Sequence, residues 1–173
     1  MKNFVLWTLG IIITVLLIIL INGQLAVPYF KFESNVQFDV GKILLWTVMD
    51  DIDNYSKNKK NIVSVDKGEY YGDSVIFWTE NYQFGIKKKY EVLRKKSPEL
   101  LILSIENSLT GMKTKLYFEI KEDERKSYLK IIEESELRNI FWAGLKVLLG
   151  RDSFVNSEIK WIRVALYNHL IKK

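Results

Sequence analysis

The 173-residue chain contains no cysteine, a single histidine and two prolines. Without cysteine there are no disulfides, no thiolate metal sites and no cysteine nucleophile, and with one histidine there is no multi-histidine metal centre or histidine relay. Lack of cysteine does not fix the compartment, because such a chain is at home in oxidising and reducing spaces alike. Net charge is also small: +5 over the whole chain, and +4 once the first thirty residues, whose only charge is Lys2, are set aside. That balance suits an anionic membrane surface and is too modest to imply nucleic acid. The sequence carries no cofactor motif, no internal repeat and no low-complexity tract.

What is present begins with a long apolar run. Phe4 to Ile21, FVLWTLGIIITVLLIILI, is uncharged over eighteen residues. At helical rise this is roughly 27 Å, enough to cross a hydrocarbon core of about 30 Å. A cleaved signal peptide has a shorter apolar core and small residues at the cut. Here the core is long and Gln24 stands where a small residue belongs, so the run reads as a retained single-pass anchor. Lys2 and the amino terminus lie on one side and Lys31 on the other, a bias that favours a cytoplasmic N-terminus and a domain on the non-cytoplasmic side. Residues 1–22 then form the anchor, 23–29 a short tether and 30–173 the domain. The link from Asn22 to Tyr29, fully extended, reaches at most about 26–29 Å, which holds the domain against its own membrane.

Beyond the anchor the pattern is one of strands. Phe30 to Phe38 alternates with Phe30, Phe32, Val36 and Phe38 on one face. A helix capped by Asp39 runs through Trp46 and ends near Met49 or Asp51, since the carboxylates of Asp50, Asp51 and Asp53 are unfavourable at a helix C-terminus. Asn54 to Asn61 reads as a solvated turn or short helix. Strands follow at Val63–Glu69, Ser74–Tyr82 after the turn Tyr71-Gly72-Asp73, Gly85–Lys95, Leu100–Leu109, Met112–Lys121 and Ser127–Glu136. The fifth of these alternates most clearly, with Met112, Thr114, Leu116, Phe118 and Ile120 facing one way. Seven strands joined by short turns predict an antiparallel meander.

The chain ends in an amphipathic helix, Val155 to Leu170. Val155, Ile159, Ile162, Leu166 and Leu170 share one side, flanked by Ala165 and His169; Glu158, Lys160, Arg163, Tyr167 and Lys172 share the other, and Trp161 and Val164 lie off the stripe. Asn156 or Ser157 suits its N-cap, and Lys172 and Lys173 its negative end. Four turns of apolar stripe need cover, and the strands offer it. Between sheet and helix, Asn139 to Gly150 (NIFWAGLKVLLG) is apolar with one lysine. It reads either as a short core helix under the last one, or as a lid or membrane-dipping element with Phe141 and Trp142 at the headgroup level.

Strand, helix, six strands and a long helix, filled by these residues, resemble the START-like or SRPBCC superfamily, which includes polyketide cyclases and birch-pollen-allergen-like proteins. Trp46, the run DDIDNYSKNKKNIVSV from Asp50 to Val65, Gly68, Gly72, and Gly111 with Leu116, Phe118 and Ile120 carry the likeness. Ser56, Asn58 and Lys60 depart from it, standing where many relatives carry proline, tryptophan and proline. The resemblance implies an α+β helix-grip fold: a seven-stranded curved antiparallel sheet wrapped around the C-terminal helix, with an apolar cavity between them. It also implies binding of a hydrophobic small molecule or lipid, by a carrier or by a cyclase- or aromatase-type enzyme.

On this reading the cavity wall draws on Phe77, Tyr90, Val92, Leu103, Leu116, Phe118, Leu129 and Ile131 from the strands. Ile159, Ile162, Leu166 and His169 complete it from the helix. A one-residue slip inverts any such face assignment. His169 lies at the edge of the stripe and reads as structural or interfacial, so no catalytic residue is assigned. The three aspartates near Asp50 lack the spacing and turn glycine of a hard-cation loop. The basic clusters Lys57-Lys59-Lys60, Lys87-Lys88-Lys89 and Arg94-Lys95-Lys96 read as wet surface, or as attraction to anionic lipid where they face it. A third reading makes the domain a scaffold that binds another membrane protein through Phe141 and Trp142.

Overall fold

The computed structural model describes all residues except Met1, Val27, Asp73, Lys172 and Lys173. The expected turn residue Asp73 and the expected cations Lys172 and Lys173 therefore lie outside the described residues. Helix α1 (Lys2–Leu25) leads into β1 (Tyr29–Phe38), α2 (Lys42–Asp50) and the short α3 (Tyr55–Asn58). Then come β2 (Ile62–Lys67), a small hairpin of β3 (Tyr70–Tyr71) and β4 (Ser74–Val75), and β5 (Phe77–Tyr82). The long strands β6 (Lys87–Lys96), β7 (Leu100–Asn107), β8 (Lys113–Asp123) and β9 (Lys126–Glu136) precede α4 (Ile140–Leu149) and α5 (Ser153–Ile171).

The main sheet has seven strands in the order β1-β9-β8-β7-β6-β5-β2, and every pairing within it is antiparallel. After β1 at one edge the chain crosses through α2 and α3 to β2 at the other, then meanders back until β9 lies against β1. Alternation makes one face apolar, and α5 lies over it. Leu101, Leu103, Ile105, Leu116, Phe118, Ile120, Leu129 and Ile131 from the strands meet Val155, Ile162, Ala165 and Leu166 from the helix in one buried cluster. This is the α+β helix-grip arrangement expected of the sequence.

Local expectations fail where a distant group intervenes. Asp39 does not cap α2: the helix begins two residues past Val40, and the N–H of Lys42 donates instead to the Glu122 carboxylate at 3.1 Å. Helix α5 starts at Ser153, ahead of Asn156 and Ser157, with the Asn156 N–H donating to the Asp152 carbonyl at 2.9 Å. Its buried side is also rotated from the expected stripe. Glu158 and Trp161 are buried and Leu170 is 54 % exposed. The acidic stretch after α2 is tied down by ion pairs of Lys95 with Asp50 (2.7 Å) and of Lys67 with Asp53.

Two larger differences concern the ends of the chain. Part of the expected tether, through Leu25, is helix, since α1 continues that far. Nor does the Asn139–Gly150 stretch lie under α5. Helix α4, capped by the Asn139 side chain accepting from the Trp142 N–H at 3.2 Å, packs against α1. A Cβ on Gly144 would stand 1.8 Å from the Ile19 carbonyl oxygen, and one on Gly23 1.8 Å from that of Ile140, so the two backbones touch.

Leu129 and Ile162 are both fully buried on facing elements of the main cluster. Truncating either to alanine is expected to destabilise the purified chain by about 2–5 kcal/mol, read as a lower urea midpoint. The same change at Tyr167, which is 65 % exposed, is expected to leave that midpoint unchanged within error.

Candidate functional site

Beneath α5, toward the β5 side of the sheet, the core changes from aliphatic to aromatic. Trp78 on β5 and Tyr90 on β6 are register partners, and their rings stack with centroids 4.9 Å apart and planes 5° from parallel. Tyr55 from α3 meets Trp78 edge-on at 6.1 Å and Trp161 of α5 at 5.0 Å. The phenol of Tyr55 donates to the Met49 carbonyl at 2.5 Å, which fixes α3 against the end of α2.

Charge is buried among these rings. Lys59, one residue past α3, reaches inward and places its Nζ 2.6 Å from Glu80 on β5, a residue with no exposed surface. The same ammonium lies over the rings of Tyr55 (4.3 Å), Trp161 (4.8 Å) and Tyr90 (5.1 Å), a desolvated geometry in which cation–π attraction is strong. Tyr82 donates to the second oxygen of Glu80 at 2.6 Å, and Trp161 Nε1 donates to buried Glu158 at 2.5 Å. Burial by itself would raise the Glu80 pKa. The Lys59 charge and hydrogen bond, with the Tyr82 hydroxyl, outweigh it and hold the carboxyl below its ordinary range. Burial also lowers the Lys88 pKa, opposed by the charges of Glu158 and Glu80.

Two polar atoms in this box have no partner: Trp78 Nε1 and the Tyr90 hydroxyl. Both residues line a void of about 10 Å³, bounded also by Met49, Tyr55, Lys59 and Glu158. That volume is of the order needed for one water molecule. The chemistry on offer is hydrogen-bond donation from Trp78 and Tyr90, a caged ammonium, and two buried carboxylates.

The sequence-predicted wall is partly assembled here. Tyr90, Leu103 and Phe118 line the void. Leu116, Leu129, Ile131, Ile162 and Leu166 are buried in the same cluster without reaching the void, and Val92 and Ile159 pack against its margin. Phe77 is elsewhere: it is half-buried, its ring 2.6 Å from where a Cβ on Gly68 would stand, while its neighbour Trp78 points inward. The β3–β4 hairpin ends before Ile76 and resets the alternation, which inverted the expected face of β5. His169 lies in a separate cleft of about 90 Å³ with Asp51, Asn54 and Asn168, away from the aromatic box. Phe141 and Trp142 meet edge-on at 5.2 Å on α4, both half-buried. Lys59 and Lys88, expected at the wet surface, instead face the interior, Lys88 over the rings of Tyr82 (4.8 Å) and Phe154 (5.2 Å).

Tyr55, Lys59, Trp78, Glu80, Glu158 and Trp161 were not among the predicted site residues. A tryptophan and a glutamate three apart on α5 were the available signal, since i and i+3 share a helix face. Among the described residues no cluster of histidine, aspartate and glutamate could hold a metal ion. A wider groove of about 580 Å³ lies on the other side of β1, β9 and β8, where Lys31 pairs with Glu134 at 2.8 Å.

The fold is that of START-like helix-grip proteins. No family model matches the chain, and no curated protein matches it in sequence. Solved structures do match in shape. A conserved protein from Geobacillus kaustophilus superposes with a TM-score of 0.63 at 15% identity, over 80% of this chain and 96% of that one. A START superfamily protein from Mycobacterium smegmatis gives 0.56 at 8% identity, over 75% and 96%. Major latex-like protein 151 from Panax ginseng gives 0.63 at 13% identity, over 83% and 99%. At these identities the likeness is one of fold.

Removing one member of the Lys59–Glu80 pair strands the other in the interior. Lys59→Met or Glu80→Gln is expected to cost about 3–5 kcal/mol, and the double variant Lys59→Met/Glu80→Met to recover much of it; denaturant melts of the three check this. The folded Glu80 pKa is depressed. Its stabilisation is therefore complete above the unfolded carboxyl value near 4.5 and lost as pH falls through the lower folded value. Stability of the parent chain is expected to fall below about pH 4.5 with a slope that Glu80→Gln reduces.

Proposed function

We propose that this chain is a membrane-anchored binding protein that holds a hydrophobic small molecule or lipid-like guest between its sheet and α5. The observation that carries the reading is the pair of buried donors, Trp78 Nε1 and the Tyr90 hydroxyl, left without acceptors beside an interior void. Burying an unpaired donor costs about 1–3 kcal/mol, and a guest whose polar end accepts from both relieves that cost. The aromatic walls and the aliphatic cluster around Leu103, Phe118, Ile162 and Leu166 suit the rest of an apolar guest. Room for it requires α5 and the Lys59 segment to move apart from the sheet, because the closed void admits about one water.

The membrane part of the reading rests on α1. Its Phe4–Leu25 segment has a mean hydropathy of 3.0, and its Thr8 and Thr14 hydroxyls donate to carbonyls one turn back at 2.9 Å, as polar groups in lipid must. The positive-inside bias, with Lys2 two residues before the apolar run and the next base, Lys31, ten residues past it, favours the domain on the non-cytoplasmic side. A second reading, acid–base catalysis on the guest, draws support from buried Glu158 on the wall of the void, within reach of whatever enters it.

Protein purified in mild detergent from its native membranes is expected to yield a stoichiometric apolar molecule by native mass spectrometry. Tyr90→Phe removes an unpaired hydroxyl, so it is expected to leave ligand-free stability unchanged or higher while weakening guest retention about 5- to 10-fold. A chain that emerges empty, and whose Tyr90→Phe variant alters nothing but stability, would overturn the binding reading. Turnover of the guest that disappears in Glu158→Gln, with retention intact, would instead select the catalytic one.

A further inference from the structure

Helix α4 is apolar along nearly its whole length, yet it contributes nothing to the main core. Its inner side serves a small cluster of its own: Ala143, Val147 and Trp142 meet Phe30, Leu137 and Met112 at the β1 edge of the sheet. Its second side meets α1 at backbone contact. The Gly144 backbone lies against Ile19 and Gly23, and the Ile140 carbonyl against Gly23, so later residues of α4 face earlier residues of α1 and the two run antiparallel. Close approach through small residues is how apolar helices pair when lipid surrounds them. These contacts fall inside the Phe4–Leu25 segment that is long and apolar enough to cross a membrane. What remains of α4 is an outer edge beside α1, Ile140 (45 %) and Leu148 (50 %) on the same stripe as Gly144, together with the exposed last residue of the helix, Leu149 (69 %).

The single charge on α4 does not oppose this placement. Lys146 turns away from the outer edge, toward the sheet, where its Nζ lies 2.5 Å from Glu133 and over the ring of Phe30 at 5.5 Å. Glu133 has no exposed surface and also accepts from Ser135 at 2.6 Å. The ammonium that would be costly in hydrocarbon is therefore matched inside the protein.

We propose that α4 is a second membrane-seated element, docked on α1 and laying Ile140, Leu148 and Leu149 into the acyl region of the leaflet that α1 enters. The partner is the lipid bilayer itself. The proposal rests on α1 being a membrane anchor and goes further: the domain is clamped to its anchor in one orientation, with the α4 end of the grip against the bilayer. Lipid contact falls to the outer edge of α4. Trp142 is turned inward against its cluster.

The cysteine-free chain allows a direct test. Full-length single-cysteine variants Leu149→Cys, Ile12→Cys and Tyr167→Cys, spin-labelled and reconstituted in 3:1 phosphatidylcholine:phosphatidylglycerol vesicles, are compared by collision with oxygen and with a water-soluble nickel chelate. Ile12→Cys reports the anchor and Tyr167→Cys, on the exposed side of α5, reports water. Leu149→Cys is expected to match Ile12→Cys, with at least a several-fold preference for oxygen. Adding Gly144→Leu, which forces α4 off α1, is expected to move the Leu149 label toward the aqueous value and leave Ile12 unchanged. A Leu149 label as accessible to nickel as Tyr167, with Ile12 still lipid-exposed, overturns the seating of α4 and spares the anchor. An aqueous Ile12 label overturns the anchor and the proposal with it.

Discussion

The structure depends on one constraint: the concave face of a seven-stranded sheet is apolar across its middle and must be covered without gaps. Helix α5 covers that middle with Val155, Ile162, Ala165 and Leu166. Toward the two margins the sheet becomes polar, with Glu80 on β5 and Glu133 on β9 both fully buried. Each glutamate is met by a lysine that arrives from a covering segment, Lys59 from the end of α3 and Lys146 from α4, at 2.6 and 2.5 Å. A buried ion pair adds little net stability but penalises misplacement heavily. The two pairs thus act as latches that decide where the covers sit, while the apolar middle supplies the driving force.

The latches differ in what surrounds them. Glu133 is linked to Ser135, and Ser135 to Thr114, a hydrogen-bonded chain across β8 and β9 that keeps one end of the grip closed. Glu80 lies among aromatic rings, and its lysine is held by three of them. Beside it stand two donors with nothing to donate to. Unmet hydrogen-bonding capacity is found at both ends, since Glu133 Oε2 also lacks a partner; at the aromatic end the cover of α5 is completed by a four-residue helix and the Lys59 side chain.

The fold was legible because its evidence is periodic. Period-two alternation in β8, Thr114 through Ile120, and helical spacing in α5 each survive errors of a residue or two at their ends. The candidate site was less legible because it depends on parity in strands with irregular starts. In β5 the break at Ile76 put Trp78 and Glu80 inside and Phe77 outside. Lys59 and Glu158 went unread for a different reason. A charged residue is ordinarily solvated, and only a partner makes its burial affordable: Glu80, from a distant strand, for Lys59, and the Trp161 indole, three residues on along α5, for Glu158. The rotation of α5 has the same origin, since a stripe defined by hydrophobicity alone cannot anticipate a buried glutamate.

The contact between α4 and α1 changes how the N-terminal helix is joined to the domain. A free link of eight residues would let the two move independently. Here the helix runs on to Leu25 and is held at Ile19 and Gly23, while Leu137 N–H donates to the Pro28 carbonyl at 2.8 Å just beyond. Helix α1, β1 and α4 are consequently joined around Phe30, which is 6 % exposed and packs on Ala143 and Leu137. Through β1, which pairs along its length with β9, α1 is linked to the strand that carries Glu133. The latch at that end is thereby tied to α1, whereas the Lys59–Glu80 latch, on β5 near the opposite edge of the sheet, is not.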